Sequence, residues 1–249
     1  MRPNQQILLK ARKDYSSCAG LLEKQITQVG LTEKLNDQII GIGIAADWLR
    51  KAAEMESICY LGDALNESRR RGSFIEIMRF SFSWFALNAL FSRDEIVMFF
   101  SPNHEKSEFK NFKHFFNASG MTQTRQDYFE KELHILLQET TSPRLPNEPS
   151  GTSVTVLYAI NQKYVPKNAR NYSTAKKIDD AATTNSLTSL DLPTLIYAFR
   201  NWAVHGNALD GAFGGKPRFE KYIELINCAL GEIHVGIANN LLQKITRTQ

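Results

Sequence analysis

The sequence predicts an all-α fold, a helical bundle with peripheral helices and polar insertions. Apolar residues recur at spacings of three and four over five long segments, 35–70, 73–91, 122–138, 191–205 and 219–245, which is the helical period. Between these segments stand clusters of Pro, Gly and Ser, such as Ser142-Pro143-Arg144-Leu145-Pro146-Asn147-Glu148-Pro149-Ser150-Gly151, that break regular structure. β-branched residues gather in one short run, residues 154–160, and a run of that length fits helix as well as strand. In an all-helical setting we read it as helix.

Length and composition narrow the class. A chain of 249 residues can bury a substantial core, and we expect a single helical domain over 1–249, with 1–34 a peripheral element and 142–187 a polar loop or insertion. Hydrophobic residues at 43% and charged residues at 22% exclude a disordered or fibrous class. No run is read as approaching the ~18 apolar residues that span a bilayer, and the apolar stretch near Met1 is too short for a secretory signal. A cytoplasmic location is the resulting expectation. Cys18, Cys59 and Cys228 are far apart and fit neither a disulfide framework nor a CxxC site. The five histidines, at 104, 114, 134, 205 and 234, lack metal-ligand spacing, so neither metal nor cofactor is expected. The net charge of +4 is a mild attraction for a polyanion and identifies none.

In chain order, residues 10–31 could form one helical face through Leu21, Leu22, Ile26 and Val29, interrupted by Gly20 and Gly30. The run from Leu35 to about Arg70 reads as one long helix weakened near Gly41 and Gly43. Gly41-Ile42-Gly43-Ile44-Ala45-Ala46 formally fits GxGxxA, but that fingerprint needs a preceding strand and a βαβ unit. Close helix packing against small glycines is the better reading. Ser73 to Phe91 is apolar nearly all round, which belongs at the centre of a fold. Asn88 and Trp84 within it are candidate structural supports for a site.

The stretch after Ser101 alternates Lys106, Lys110, Lys113 and His114 with Phe109, Phe112, Phe115 and Phe116. Lysines on phosphate with a phenylalanine on a base would make an RNA rim. An ordinary amphipathic helix would instead bury the rings and solvate the lysines, and we favour this. Thr122 to Gln138 is amphipathic, and Lys163 to Asn185 is a solvated polar segment. Phe213-Gly214-Gly215-Lys216-Pro217 is a turn whose Gly-Gly-Lys lacks the rest of a P-loop. Lys216, with Lys106, Lys110 and Lys113, completes the candidate substrate-binding lysines. Phe219 to Ile245 is the last long helix.

The chemistry gathers in Tyr197-Ala198-Phe199-Arg200-Asn201-Trp202-Ala203-Val204-His205-Gly206-Asn207. Pro193 suits a helix start and Gly206-Asn207 a helix stop, so the helix runs from about Asp191 or Pro193 to His205. At about 100° per residue Asn201 and His205 share a face, about 40° apart, while Arg200 lies about 140° from His205 and bridges the gap by its reach. An imidazole with an unperturbed pKa of about 6.5 serves as acid and base near neutrality. A guanidinium fork suits a phosphate.

Arg200-Asn201-Trp202-Ala203-Val204-His205 resembles the motif of the HEPN superfamily, an arginine followed by a polar residue and, four to six residues after the arginine, a histidine. Arg79-Phe80-Ser81-Phe82-Ser83-Trp84-Phe85-Ala86-Leu87-Asn88-Ala89-Leu90-Phe91 is similar to the aromatic-rich core helix that often precedes it. The resemblance covers roughly Asn36 to Leu242. It implies a HEPN-like helical bundle, a homodimer and metal-independent endoribonuclease activity on RNA, with Arg200, Asn201 and His205 catalytic. It also implies a role as a toxin or anti-phage effector, with an antitoxin or another defence protein as partner. The alternative is a non-catalytic HEPN-like module that binds RNA, a nucleotide or a protein.

Overall fold

The computed structural model describes residues 2–55, 68–101, 107–145, 148–165, 173–205 and 209–247, with side chains 68–73, 164, 173, 204, 205, 209, 210 and 216 left aside. Among the described residues the chain is all-α apart from one two-stranded ribbon. In order come α1 (Pro3–Val29), α2 (Glu33–Glu54), α3 (Ser68–Phe91), α4 (Asp94–Val97), α5 (Glu108–Ala118), α6 (Gln123–Gln138), β1 (Thr140–Thr141), β2 (Val154–Thr155), α7 (Val156–Tyr164), α8 (Ser173–Thr184), α9 (Leu192–His205), α10 (Leu209–Ala212) and α11 (Lys216–Arg247). They group into two compact units, one of 1–60, 78–122 and 227–249, the other of 61–77 and 123–226, so that α3 and α11 contribute residues to both.

The first unit begins with the segment expected to be peripheral. It forms one helix, α1, that runs through Gly20, where an added Cβ would meet nothing within 4 Å. Leu8, Ala11, Tyr15, Cys18 and Leu22, spaced by three and four, are buried. Gly30, at φ 83, ends the helix in the left-handed region that glycine adopts cheaply. Thr32 then caps α2 by accepting from Leu35 N at 3.2 Å. Gly41 is a packing glycine, since a Cβ there would lie 2.6 Å from Ile96 Cδ1 on α4. A Cβ on Gly43 would meet nothing within 4 Å, and both glycines sit within α2 with no strand before them among the described residues, as expected against a dinucleotide site. The described part of α2 stops at Glu54, and residues 56–67 of the long run read from sequence lie outside the described residues.

The other end of α2 is held by Arg79 of α3. Its Nε donates to Ala52 O at 3.0 Å and its Nη2 to Met55 O at 2.7 Å, which occupies carbonyls that a helix end leaves without intrahelical partners. Further along α3, Trp84 is buried, donates from Nε1 to Glu108 at 2.9 Å and packs its ring on Phe112 at 5.0 Å. The stretch Phe74–Phe91 has a mean hydropathy of 1.2 and is half buried. By length and composition it could cross a bilayer, contrary to the sequence expectation of no such run. The buried Phe80, Trp84, Leu87 and Leu90 give the stretch a core-helix role as well.

α11 closes this unit through two glycines. A Cβ on Gly231 would stand 2.7 Å from Ile7 Cγ2, and one on Gly236 would fall 1.9 Å from the backbone oxygen of Ser119. Between them His234 is fully buried, with Nε2 at 2.9 Å from Ser83 O and Nδ1 at 3.2 Å from Tyr15 Oη. A carbonyl can only accept, so Nε2 carries the proton and Nδ1 accepts from the tyrosine. Burial holds the His234 pKa down at about 4.

In the second unit, Thr140 pairs with Thr155 and Thr141 with Val154 in an antiparallel ribbon. Thr155 also caps α7 by accepting from Tyr158 N at 3.2 Å. Residues 154–160, expected as helix, therefore split into two strand residues and the first turns of α7. The span expected as a polar insertion is built around buried residues, among them Val156, Leu157, Ala159, Ile160, Ile178 and Ala181. Asn161 donates to Asp179 at 2.8 Å and ties α7 to α8. The polar residues that dominated this stretch in sequence occupy the outer faces of these short helices, for example Lys176 paired with Asp180 at 2.9 Å.

Two outcomes follow for the first unit. Gly236→Ala should cost on the order of 3 kcal/mol, because the methyl collides with backbone that has no rotamer to give; urea denaturation measures this, and Gly43→Ala should be neutral or stabilising. His234 is neutral in the fold with a pKa of about 4 and titrates near 6.5 when unfolded. Its contribution is complete above pH 6.5 and is lost as pH falls towards 4, by on the order of 3 kcal/mol. Chemical denaturation across that window should show the slope, and His234→Gln should flatten it.

Candidate functional site

The candidate site lies on α9, whose start is fixed by side chains from α6. Glu130 Oε1 accepts from Leu192 N at 2.7 Å, and His134 Nε2 donates to Leu190 O at 2.9 Å. These residues are one turn apart on the same face of α6, so together they grip both sides of the α9 entry. Asp191 caps the helix through its side-chain oxygen on Thr194 N at 3.1 Å, and Pro193 occupies the first turn, where its missing N–H is no loss. The start read from sequence holds, and the described helix runs to His205, with residues 206–208 outside the described residues.

The inner side of α9 carries Leu192, Leu195, Ile196, Ala198, Phe199 and Trp202, all buried. Phe199 packs on Tyr222 at 5.7 Å and Tyr222 on Phe213 at 4.9 Å, which couples the middle of α9 to the start of α11. Tyr197, Arg200 and Asn201 are half-buried along the rest of the helix. Arg200 donates from Nη1 to Asn201 Oδ1 at 3.0 Å, and its guanidinium carbon lies 5.8 Å from the centre of the Tyr197 ring. An amide on one side and an aromatic face on the other restrict the long side chain. Asn201 thus contacts Arg200, its neighbour in sequence. His205 is the last residue of α9, and its side chain lies outside the described residues.

The candidate lysines divide. Lys106 lies outside the described residues, and so does the side chain of Lys216, the first residue of α11. Lys110 is exposed on α5 and Lys113 half-buried, its Nζ 5.5 Å above the Phe109 ring. Phe112, Phe115 and Phe116 are buried, so α5 is the amphipathic helix favoured from sequence. Trp84 and the half-buried Asn88 belong with Lys110 and Lys113 to the first unit, and Arg200 and Asn201 to the second.

Glu130 and His134 are residues that sequence reasoning missed. Their i, i+4 spacing was visible, but their partners are backbone atoms 62 and 56 residues away. Among the described residues, no three His, Cys, Asp or Glu side chains gather as a metal site would require. No protein-family model matches the chain, and neither the curated proteins nor the solved structures give a significant match.

Glu130→Ala or His134→Ala should each cost about 1–2 kcal/mol by leaving a backbone group of the α9 entry without its partner. The two losses should be less than additive because both grip one turn. Hydrogen exchange should quicken at Leu192 to Leu195 while the amides of α1 and α2 keep their protection.

Proposed function

We propose that this chain is a metal-independent endoribonuclease of HEPN type, acting through Arg200, Asn201 and His205. The observation that supports it most is the Arg200 guanidinium held by Asn201 at 3.0 Å on the half-exposed side of α9, five residues before His205. A guanidinium held at the surface in this way is suited to a phosphate and to the charge that grows on it during reaction. Five residues of helix separate Arg200 and His205 by only about 7.5 Å along the axis. That span suits a scissile phosphate and the proton transfers on either side of it.

RNA brings its own nucleophile. The imidazole of His205 takes the 2′-OH proton, the oxygen attacks the adjacent phosphorus, and the bond to the 5′ oxygen breaks. The leaving oxygen takes a proton from a second imidazole, which a second copy of the chain provides when two α9 helices face each other across a two-fold axis. The product is a 2′,3′-cyclic phosphate that water opens to a 3′-phosphate. The HEPN likeness also suggests the biological setting, a cytoplasmic toxin or anti-phage effector restrained by an antitoxin or another defence protein.

Incubating the purified protein with RNA in EDTA tests the reading. Arg200→Ala and His205→Ala should each lower the cleavage rate about 10²–10⁴-fold with a melting temperature close to that of the parent. Arg200→Lys should restore only part of it, since a point charge lacks the fork. Asn201→Asp should keep a partner for Arg200 yet weaken RNA binding by placing a carboxylate beside the phosphate. RNA that binds but stays intact with the parent protein would favour the binding module. Cleavage of an all-deoxy strand would exclude attack by the 2′-OH.

A further inference from the structure

The second unit holds a polar cleft of about 540 Å³ that the ribonuclease reading leaves unused, lined by Thr141, Ser142, Ser153, Gly214 and Arg218 among others. One wall is the β1–β2 ribbon and its flanks. The other is the turn that leads into α11, where Gly214 has φ 72 and Gly215 φ 146. Gly215 has no side chain with which to cap the first N–H groups of a 32-residue helix. This Gly-Gly turn is the one that sequence singled out and no function absorbed.

Three features converge there. A Cβ on Gly214 would stand 2.6 Å from Thr141 Oγ1 and 3.3 Å from Arg218 Nη1, so the missing side chain is what lets hydroxyl, guanidinium and helix start come together. Thr141 is only 5% exposed, and its Oγ1, turned to Gly214, is buried with no hydrogen-bond partner among the described residues. A buried hydroxyl in that state costs stability unless something pairs with it. Arg218 is anchored by Nη1 on Thr140 O at 3.0 Å and by Nε on Glu139 at 2.6 Å. Its Nη2 makes no hydrogen bond among the described residues.

Charge decides the class of ligand. Glu139 cancels most of the Arg218 charge, so the net attraction is that of the helix start, equivalent to roughly half a positive charge. Such a site suits an oxyanion of single charge with several acceptor oxygens. We propose that this cleft binds one singly charged phosphate group through the backbone N–H groups of Lys216 and Arg218, which flank Pro217 at the start of α11, together with Arg218 Nη2 and the hydroxyls of Thr141, Ser142 and Ser153. It does not depend on the ribonuclease reading.

The full chain carrying Arg200→Ala, which removes cleavage from the readout, is titrated with inorganic phosphate and separately with oligouridylate. The buffer is chloride at fixed ionic strength, and binding is followed by calorimetry and thermal shift. Saturable phosphate binding is expected. Thr141→Val should weaken it about tenfold, the value of one hydrogen bond, without lowering the melting temperature. Ser153→Asp, a change at an exposed position, should abolish it by charge repulsion. Competition between the two ligands would identify the group as a backbone phosphodiester, and phosphate binding indifferent to the oligonucleotide a free phosphate. A phosphate Kd weaker than about 10 mM, or binding unchanged in both Thr141→Val and Ser153→Asp, overturns the proposal.

Discussion

The first unit depends on a guanidinium taken almost wholly out of water. Arg79 is 2% exposed, and stripping the water from a charge costs several kcal/mol unless other dipoles replace it. The carbonyls of Ala52 and Met55 do so. They stand at the negative end of α2, where a cation is favoured and where the last carbonyls have no intrahelical donors. One side chain therefore answers two shortages at once and fixes the end of α2 against α3. With that angle set, Trp48 reaches Phe82 and Phe85 at ring distances of 5.3 and 5.2 Å. Trp84 likewise finds Glu108 and the α5 rings.

Further on in this unit the same economy of polar groups recurs. His234 stays neutral because it is wholly buried, and both ring nitrogens are satisfied there, one by Ser83 O and the other by Tyr15. The flanking Gly231 and Gly236 let α11 approach Ile7 and Ser119 closely enough for those bonds to form. Burial also pushes the thiol of Cys18 up to about 12, so it packs as a small apolar group that donates to Ala238 O at 3.4 Å and is a poor nucleophile.

In the second unit the ordering runs outwards from α6. Glu130 and His134 settle where α9 begins. The buried face from Leu192 to Trp202 then settles its rotation, and rotation leaves Arg200 and Asn201 beside each other at the half-exposed side. The Phe199, Tyr222 and Phe213 rings carry this rigidity to the start of α11. Arg200 is thereby held on a firm base, as the proposed chemistry requires.

Sequence by itself determined the fold class and most helix positions, because burial of one face at a period of 3.6 residues is written in the order of residues. It also located the Arg200 segment, since Pro193 and the polar break up to His205 are local signals. In α1 and in the span 142–187 the buried residues are interleaved with many polar ones, which leaves their packing hard to read from the order of residues alone. The start of β2 was hidden because two strand residues leave no period to detect. Only the tertiary structure decided which polar groups meet. The partners of Arg79, His234, Glu130 and His134 are mostly backbone atoms, and a backbone atom has no identity in a sequence. The same reason covers the cleft at Gly214, where absent side chains and a buried hydroxyl matter only once β1 and α11 have come together.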